Sequence, residues 1–134
     1  MRTGNLDKFA GDYTITSLKD NEIFVFGSNL AGRHGAGAAR QAHRDFGAEY
    51  GVGEGLTGRC YALPTLDYDL ERRSRDDLYE SIRKFYLCAQ RNTHLTFLLT
   101  KVGCGLAGYS EGFMRDLFAP MPDLPNVVKP EGWL

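Results

Sequence analysis

Two clusters of small residues hold most of the positions in this chain that could do chemistry. The first runs Gly27-Ser-Asn-Leu-Ala-Gly-Arg-His-Gly-Ala-Gly37, the second Gly103-Cys-Gly-Leu-Ala-Gly-Tyr109. Glycines in such runs let the backbone approach a ligand closely and turn successive N–H groups inward. Next to a helix N-terminus this makes a concave seat for phosphate oxygens that needs no lysine. We therefore expect Gly27, Ser28, Asn29, Gly32, Arg33, His34, Gly35 and Gly37 from the first loop to contact a phosphate-bearing ligand. From the second loop we expect Gly103, Cys104, Gly105, Leu106, Ala107, Gly108 and Tyr109 to do the same.

Individual side chains within the clusters admit two readings each. Asn29 either contacts the ligand or caps a turn through its amide. Arg33 either grips a pyrophosphate with both prongs or faces solvent without a partner. His34, with an ordinary pKa of about 6.5, is an acid/base candidate or an exposed loop histidine. Cys104 has no identifiable base near it in sequence and reads as a small loop residue. His43 and His94 lack neighbours at ligand spacing, so no metal site is expected.

Two better-known phosphate motifs are excluded by what surrounds the glycines. Gly103-x-Gly-x-x-Gly108 fits a dinucleotide fingerprint, but too little chain follows for the second half of such a domain. Gly27 to Gly32 has P-loop spacing, yet Arg33-His34 stands where Lys-Ser/Thr would supply the phosphate lysine and the magnesium hydroxyl.

The elements that must position these loops alternate between strand and helix. Glu22 to Phe26 reads as a buried strand ending in Gly-Ser-Asn, and Ala38 to Phe46 as a helix closed by Gly47. Cys60 to Leu63 is a short apolar strand stopped by Pro64, and Asp67 to Asp77 a surface loop leading into a helix. That helix starts in a capping box at Ser74 and turns Leu78, Ile82, Phe85 and Ala89 to one face. Leu95 to Val102 is the most strand-like run, Glu111 to Phe118 a third helix, and Asn126 to Lys129 a last short strand before Trp133 packs back. This order implies an α/β domain with a partly parallel sheet, whose ligands sit at the carboxyl ends of the strands, where both glycine clusters lie.

Composition sets the outer bounds. The 134 residues, 43% apolar, suit one domain spanning 1–134. A net charge of -1 gives no global field for nucleic acid or an anionic membrane, so any anion must be held locally. The three cysteines lack metal spacing, no secretory h-region follows Met1, and no apolar run is long enough to span a bilayer. A soluble, reducing, cytoplasmic setting is expected, with no cofactor.

At several of these residues the chain resembles the macrodomain superfamily, and within it a compact macro-like group from bacterial and phage genomes. Gly11-Asp-Tyr-Thr14 is similar to the family's early Gly-Asp-Ile-Thr. Phe24 to Asn29 is similar to the strand ending in Asn-Ala-Ala-Asn, and Thr100 to Tyr109 to the loop Ser-Thr-Gly-x-x-Gly-Tyr/Phe. The resemblance implies a three-layer domain with a central mixed, largely parallel sheet flanked by helices, and ADP-ribose as ligand. It nominates Asp12 for the adenine amine, Asn29 for the distal ribose, both loops for the pyrophosphate, and Tyr109 for stacking on or packing beside the ribose. Where hydrolytic members often carry an acid, about ten positions after the Asn, this chain has Ala39.

The leading expectation is therefore a binding module for ADP-ribose or a related NAD-derived nucleotide. Two alternatives stand beside it. One is a hydrolase releasing ADP-ribose from a protein, a nucleic acid or a small ester, with Asn29 orienting water or ribose and His34 as acid/base. The other is a phage-related protein that sequesters a nucleotide signal.

Overall fold

A computed structural model describes residues 15–133. The chain is α/β, with a mixed, largely parallel five-stranded sheet and three helices among the described residues. In chain order the elements are β1 (Glu22–Asn29), α1 (Gly37–Phe46), β2 (Gly55–Thr57), β3 (Cys60–Leu66), α2 (Arg75–Arg91), β4 (Thr96–Leu99), α3 (Glu111–Phe118) and β5 (Val127–Val128). The strands lie in the order β2-β3-β1-β4-β5. Central β1 runs parallel to both β3 and β4, β4 is parallel to β5, and only the edge strand β2 is antiparallel.

Alternation along β1 divides the core between the two sheet faces. Ile23 and Val25 point to one face, where α2 and α3 bury Leu78, Ile82, Phe85, Met114, Leu117 and Phe118 against them. Trp133 joins this layer, 2% exposed, its ring 5.4 Å from that of Phe118. Phe24 and Phe26 point to the other face, covered by Ala39, Ala42 and Phe46 of α1 together with Ile15. α1 has only 10 residues and leaves the carboxyl end of this face uncovered.

Local chemistry fixes the helix ends. Ser74 Oγ accepts from Asp77 N at 3.1 Å and Ser110 Oγ from Phe113 N at 3.1 Å, so α2 and α3 are both capped. Gly47 closes α1 in the left-handed conformation, φ 80°, as its place in the sequence suggests. The N-cap of α1 is Ala36, which offers no side-chain acceptor.

Three boundaries differ from the sequence expectation. β1 runs on through Gly27 and Ser28 to Asn29, which brings the first glycine cluster onto the sheet. β3 continues past Pro64 to Leu66. The Pro64 carbonyl accepts from Arg73 Nη1 and so points away from β1; its nitrogen points the same way, and β2 pairs only as far as Ala62. The missing N–H therefore breaks no ladder bond. β4 is shorter than Leu95 to Val102, because Thr100 ends it: its N–H and hydroxyl both donate to Val25 O, at 3.2 and 2.7 Å. β2 was not anticipated. Among the described residues no helix is long and apolar enough to cross a membrane.

Candidate functional site

The carboxyl ends of β1, β3 and β4 converge with the N-terminus of α1 around a cavity of about 770 Å³. Its polar rim comes from Gly27, Ser28 and Asn29 of β1, Thr65 of β3, Thr100 and Lys101 after β4, and the segment Gly35 to Gly37 that enters α1. Phe24 and Ile15 form an apolar floor, while Leu66, Leu70 and Leu106 stand at the edge. The size lies in the range of small-molecule sites.

Backbone donors without an acceptor of their own among the described residues occur at two places on this lining, the start of α1 and the loop after β4. The first helical bond of α1 runs from Arg40 N to Ala36 O, so the N–H groups of Gly37, Ala38 and Ala39 have no partner among the described residues. No acid stands in the first turn to meet them. In the loop after β4, the N–H groups of Cys104, Gly108 and Tyr109 are used inside the loop, on Lys101 O, Gly105 O and Gly103 O. Those of Gly105, Leu106 and Ala107 are not. Consecutive free amides and an uncapped helix start both favour an anion.

Side-chain charge points the same way. Arg33 and Lys101 line the cavity, and no carboxylate does so among the described residues. Lys101 is partly engaged, its Nζ 3.1 Å from Glu111 Oε1 at the start of α3.

Other groups build the loops rather than line the space between them. Ser28 Oγ donates to Gly53 O at 2.6 Å. The Asn29 amide brackets Arg33: Nδ2 donates to Arg33 O at 2.9 Å, and Oδ1 accepts from Arg33 N at 3.0 Å. Asn29 thus acts as the turn clamp while its residue still borders the cavity. The Gly32 N–H donates to Asn29 O and its carbonyl accepts from Gly51 N, which makes it a packing point beside the cavity.

The clamp decides where the next two side chains go. Arg33 faces outward and His34 inward, away from the cavity and fully buried. His34 Nε2 donates to Glu49 O at 2.9 Å, and its ring meets Phe26 edge-on at 5.4 Å between centroids. Burial, reinforced by His43, holds its pKa below the ordinary value. The chain thus puts His34 in neither of the two expected places, as an acid/base group at the ligand or as an exposed loop histidine.

Cys104, Gly108 and Tyr109 also lie outside the cavity lining. Burial pushes the Cys104 thiol up to about 11, opposite to what a nucleophile requires. The Tyr109 hydroxyl donates to Thr65 O at 2.9 Å and accepts from Arg73 N at 2.8 Å, and its ring stacks on Phe113. Tyr109 props the loop from behind. Asp12 lies outside the described residues.

Of the residues expected from the two glycine clusters, Gly27, Ser28, Asn29, Arg33, Gly35, Gly37, Gly103, Gly105, Leu106 and Ala107 line the cavity. Also on the lining are Thr65 and Leu66 of β3, Leu70 in the connection after it, and Thr100 and Lys101, which stand just before the second glycine cluster. Among the described residues no group of three His, Cys, Asp or Glu is placed to hold a metal ion. Comparisons with family models, with curated proteins and with solved structures found no match.

Proposed function

We propose that the chain binds a nucleotide diphosphate of the ADP-ribose type in this cavity, with the diphosphate between the two glycine loops. One observation carries the reading. Free backbone donors from the first turn of α1, Gly37 to Ala39, and from the second glycine loop, Gly105 to Ala107, belong to residues lining one cavity that carries two cations and no carboxylate among the described residues. That arrangement suits a ligand with two or more negative charges and no need of a bridging metal. The apolar floor at Phe24 and Ile15 suits the flat base of a nucleotide. ADP-ribose itself comes from the resemblance to macrodomains.

Binding is favoured over hydrolysis. Of the acid/base candidates among the described residues, His34 lies behind the first loop, and the titratable groups on the lining are Arg33 and Lys101. Both are cationic side chain types that suit holding an anion.

Calorimetry with ADP-ribose, ADP and inorganic pyrophosphate tests the reading. Gly105→Glu is the informative variant, because a Cβ at Gly105 meets nothing within 4 Å and so starts the new side chain in open space. It brings a carboxylate to the free amides, so affinity should drop at least about tenfold, the equivalent of ~1.4 kcal/mol. If the wild-type protein takes up none of these ligands, or Gly105→Glu binds as well as wild type, the proposal is wrong.

A further inference from the structure

We propose that Arg72, on the connection between β3 and α2, is a positioning residue that holds the second glycine loop in its anion-ready shape. The inference rests on the proposed function for the meaning of that shape, but its geometry stands apart from any ligand. Arg72 does not line the cavity. Its Nε donates to Ala107 O at 2.9 Å and its Nη2 to Gly108 O at 2.8 Å, so one planar fork holds two consecutive carbonyls. The guanidinium carbon also lies 5.2 Å from the centre of the Tyr109 ring.

The consequence for the loop follows from what those carbonyls would otherwise do. With Ala107 O and Gly108 O held by the fork on the far side from the cavity, the turn closed by Gly108 N on Gly105 O is fixed from outside. The three donors inside that turn, on Gly105, Leu106 and Ala107, then stay on the cavity side without a partner of their own. A loop pre-arranged this way spends less conformational entropy when an anion arrives.

Two features show that the fork is built in. Gly108 has φ 77°, and a Cβ there would lie 2.6 Å from Arg72 Nη2, so only glycine lets the guanidinium reach its carbonyl. The arm that carries Arg72 is itself braced. Asp67 Oδ1 accepts from Asp69 N at 2.8 Å and Glu71 N at 3.0 Å, Asp67 N donates to Glu71 O, and Arg72 bridges back to Leu66. Next to it, Arg73 N donates to the hydroxyl of Tyr109, the last residue of the same loop.

The test compares Arg72→Ala and Arg72→Lys with the wild-type chain. Lysine keeps the charge but cannot hold two carbonyls in one plane. Amide hydrogen exchange without ligand should speed up about tenfold or more at Gly108 and Tyr109 in both variants, with α2 and β1 unchanged. Unchanged exchange at those amides in both variants overturns the proposal. In calorimetry, affinity for ADP-ribose should fall about tenfold in both. Restoration by lysine would mean that Arg72 acts through charge alone, and would also overturn it. A wild-type chain that takes up no ADP-ribose sinks the proposed function instead, and the exchange measurement then decides the role of Arg72 by itself.

Discussion

Gly27 of β1 and Gly103 of the second loop approach so closely that a Cβ on Gly27 would stand 3.2 Å from the Gly103 nitrogen, with Val102 Cα at 3.6 Å and Thr65 Oγ1 at 3.5 Å. The two glycine clusters are thus in contact, and the cavity wall is continuous where they meet. Backbone atoms of two loops have little room to give. Gly27→Ala should therefore displace the second loop, and Gly27→Val should do so more strongly. We expect losses of roughly 1–3 kcal/mol for the valine variant, as for other overpacked interior sites. Urea unfolding should show the loss, and calorimetry a weaker uptake of ADP-ribose. An alanine variant with wild-type stability and affinity would show that the contact is not tight.

Much of this wall could be read from the sequence, and the remainder is missing for physical reasons. Ser74 and the Leu78, Ile82, Phe85, Ala89 face of α2 announce themselves because capping and 3.6-residue periodicity are local. Glycine spacing likewise marks the loops. β2 is three residues long and carries too little alternation to register. Pro64 reads as a stop until it is known that its nitrogen faces away from β1. The side to which His34 turns depends on the Asn29 amide bracketing Arg33, and on Glu49 O waiting 15 positions further along. Lys101 and Leu70 belong to the site only because β4 and β3 flank β1 in the sheet.

The pairing of Lys101 with Glu111 predicts a variant that binds better than wild type. Glu111 Oε1 competes with an incoming phosphate for Lys101 Nζ, 3.1 Å away. The carboxylate side chain is 56% exposed, so its loss should change stability by no more than about 1 kcal/mol. Glu111→Gln should raise affinity for ADP-ribose a few-fold at low salt, and the gain should shrink as ionic strength rises. Titrations at two salt concentrations would reveal it. Equal affinity of variant and wild type at low salt would place Lys101 outside the binding equilibrium.

His34 makes the stability of the first loop depend on pH. Its folded pKa is lowered, first by burial and then by His43 nearby, against the opposing pull of the Glu49 and Val52 carbonyls. The groups around it are His43 of α1 and Tyr50, whose rings lie 6.5 and 5.5 Å away, and the backbone of the exposed Glu49. Because the unfolded chain takes up the proton more readily than the folded one, stability is fully present above pH 6.5. It falls as pH drops from there toward the lowered folded value. Urea midpoints measured from pH 7.5 down to 5 should decline, and the decline should be smaller in His34→Gln. Parallel curves for the two proteins would rule out His34 as the source.

Leu70 ties stability and binding together in opposite directions. It has φ 63°, the only non-glycine residue with positive φ among the described residues, at the tip of the arm that Arg72 fastens to the second loop. A leucine in the left-handed region costs about 1–2 kcal/mol. Its side chain is 46% exposed at the cavity edge, so little burial offsets that cost in the free protein. Leu70→Asn should relieve part of the strain, since asparagine tolerates this conformation, and raise stability by up to about 1 kcal/mol. The same change removes an apolar wall that a bound nucleotide would press against, and affinity for ADP-ribose should fall. Affinity for inorganic pyrophosphate, which has no apolar part, should stay the same. Chemical denaturation and calorimetry on one preparation separate the two effects. A stabilised variant with unchanged affinity for both ligands would mean that the strain at Leu70 serves the arm and not the cavity.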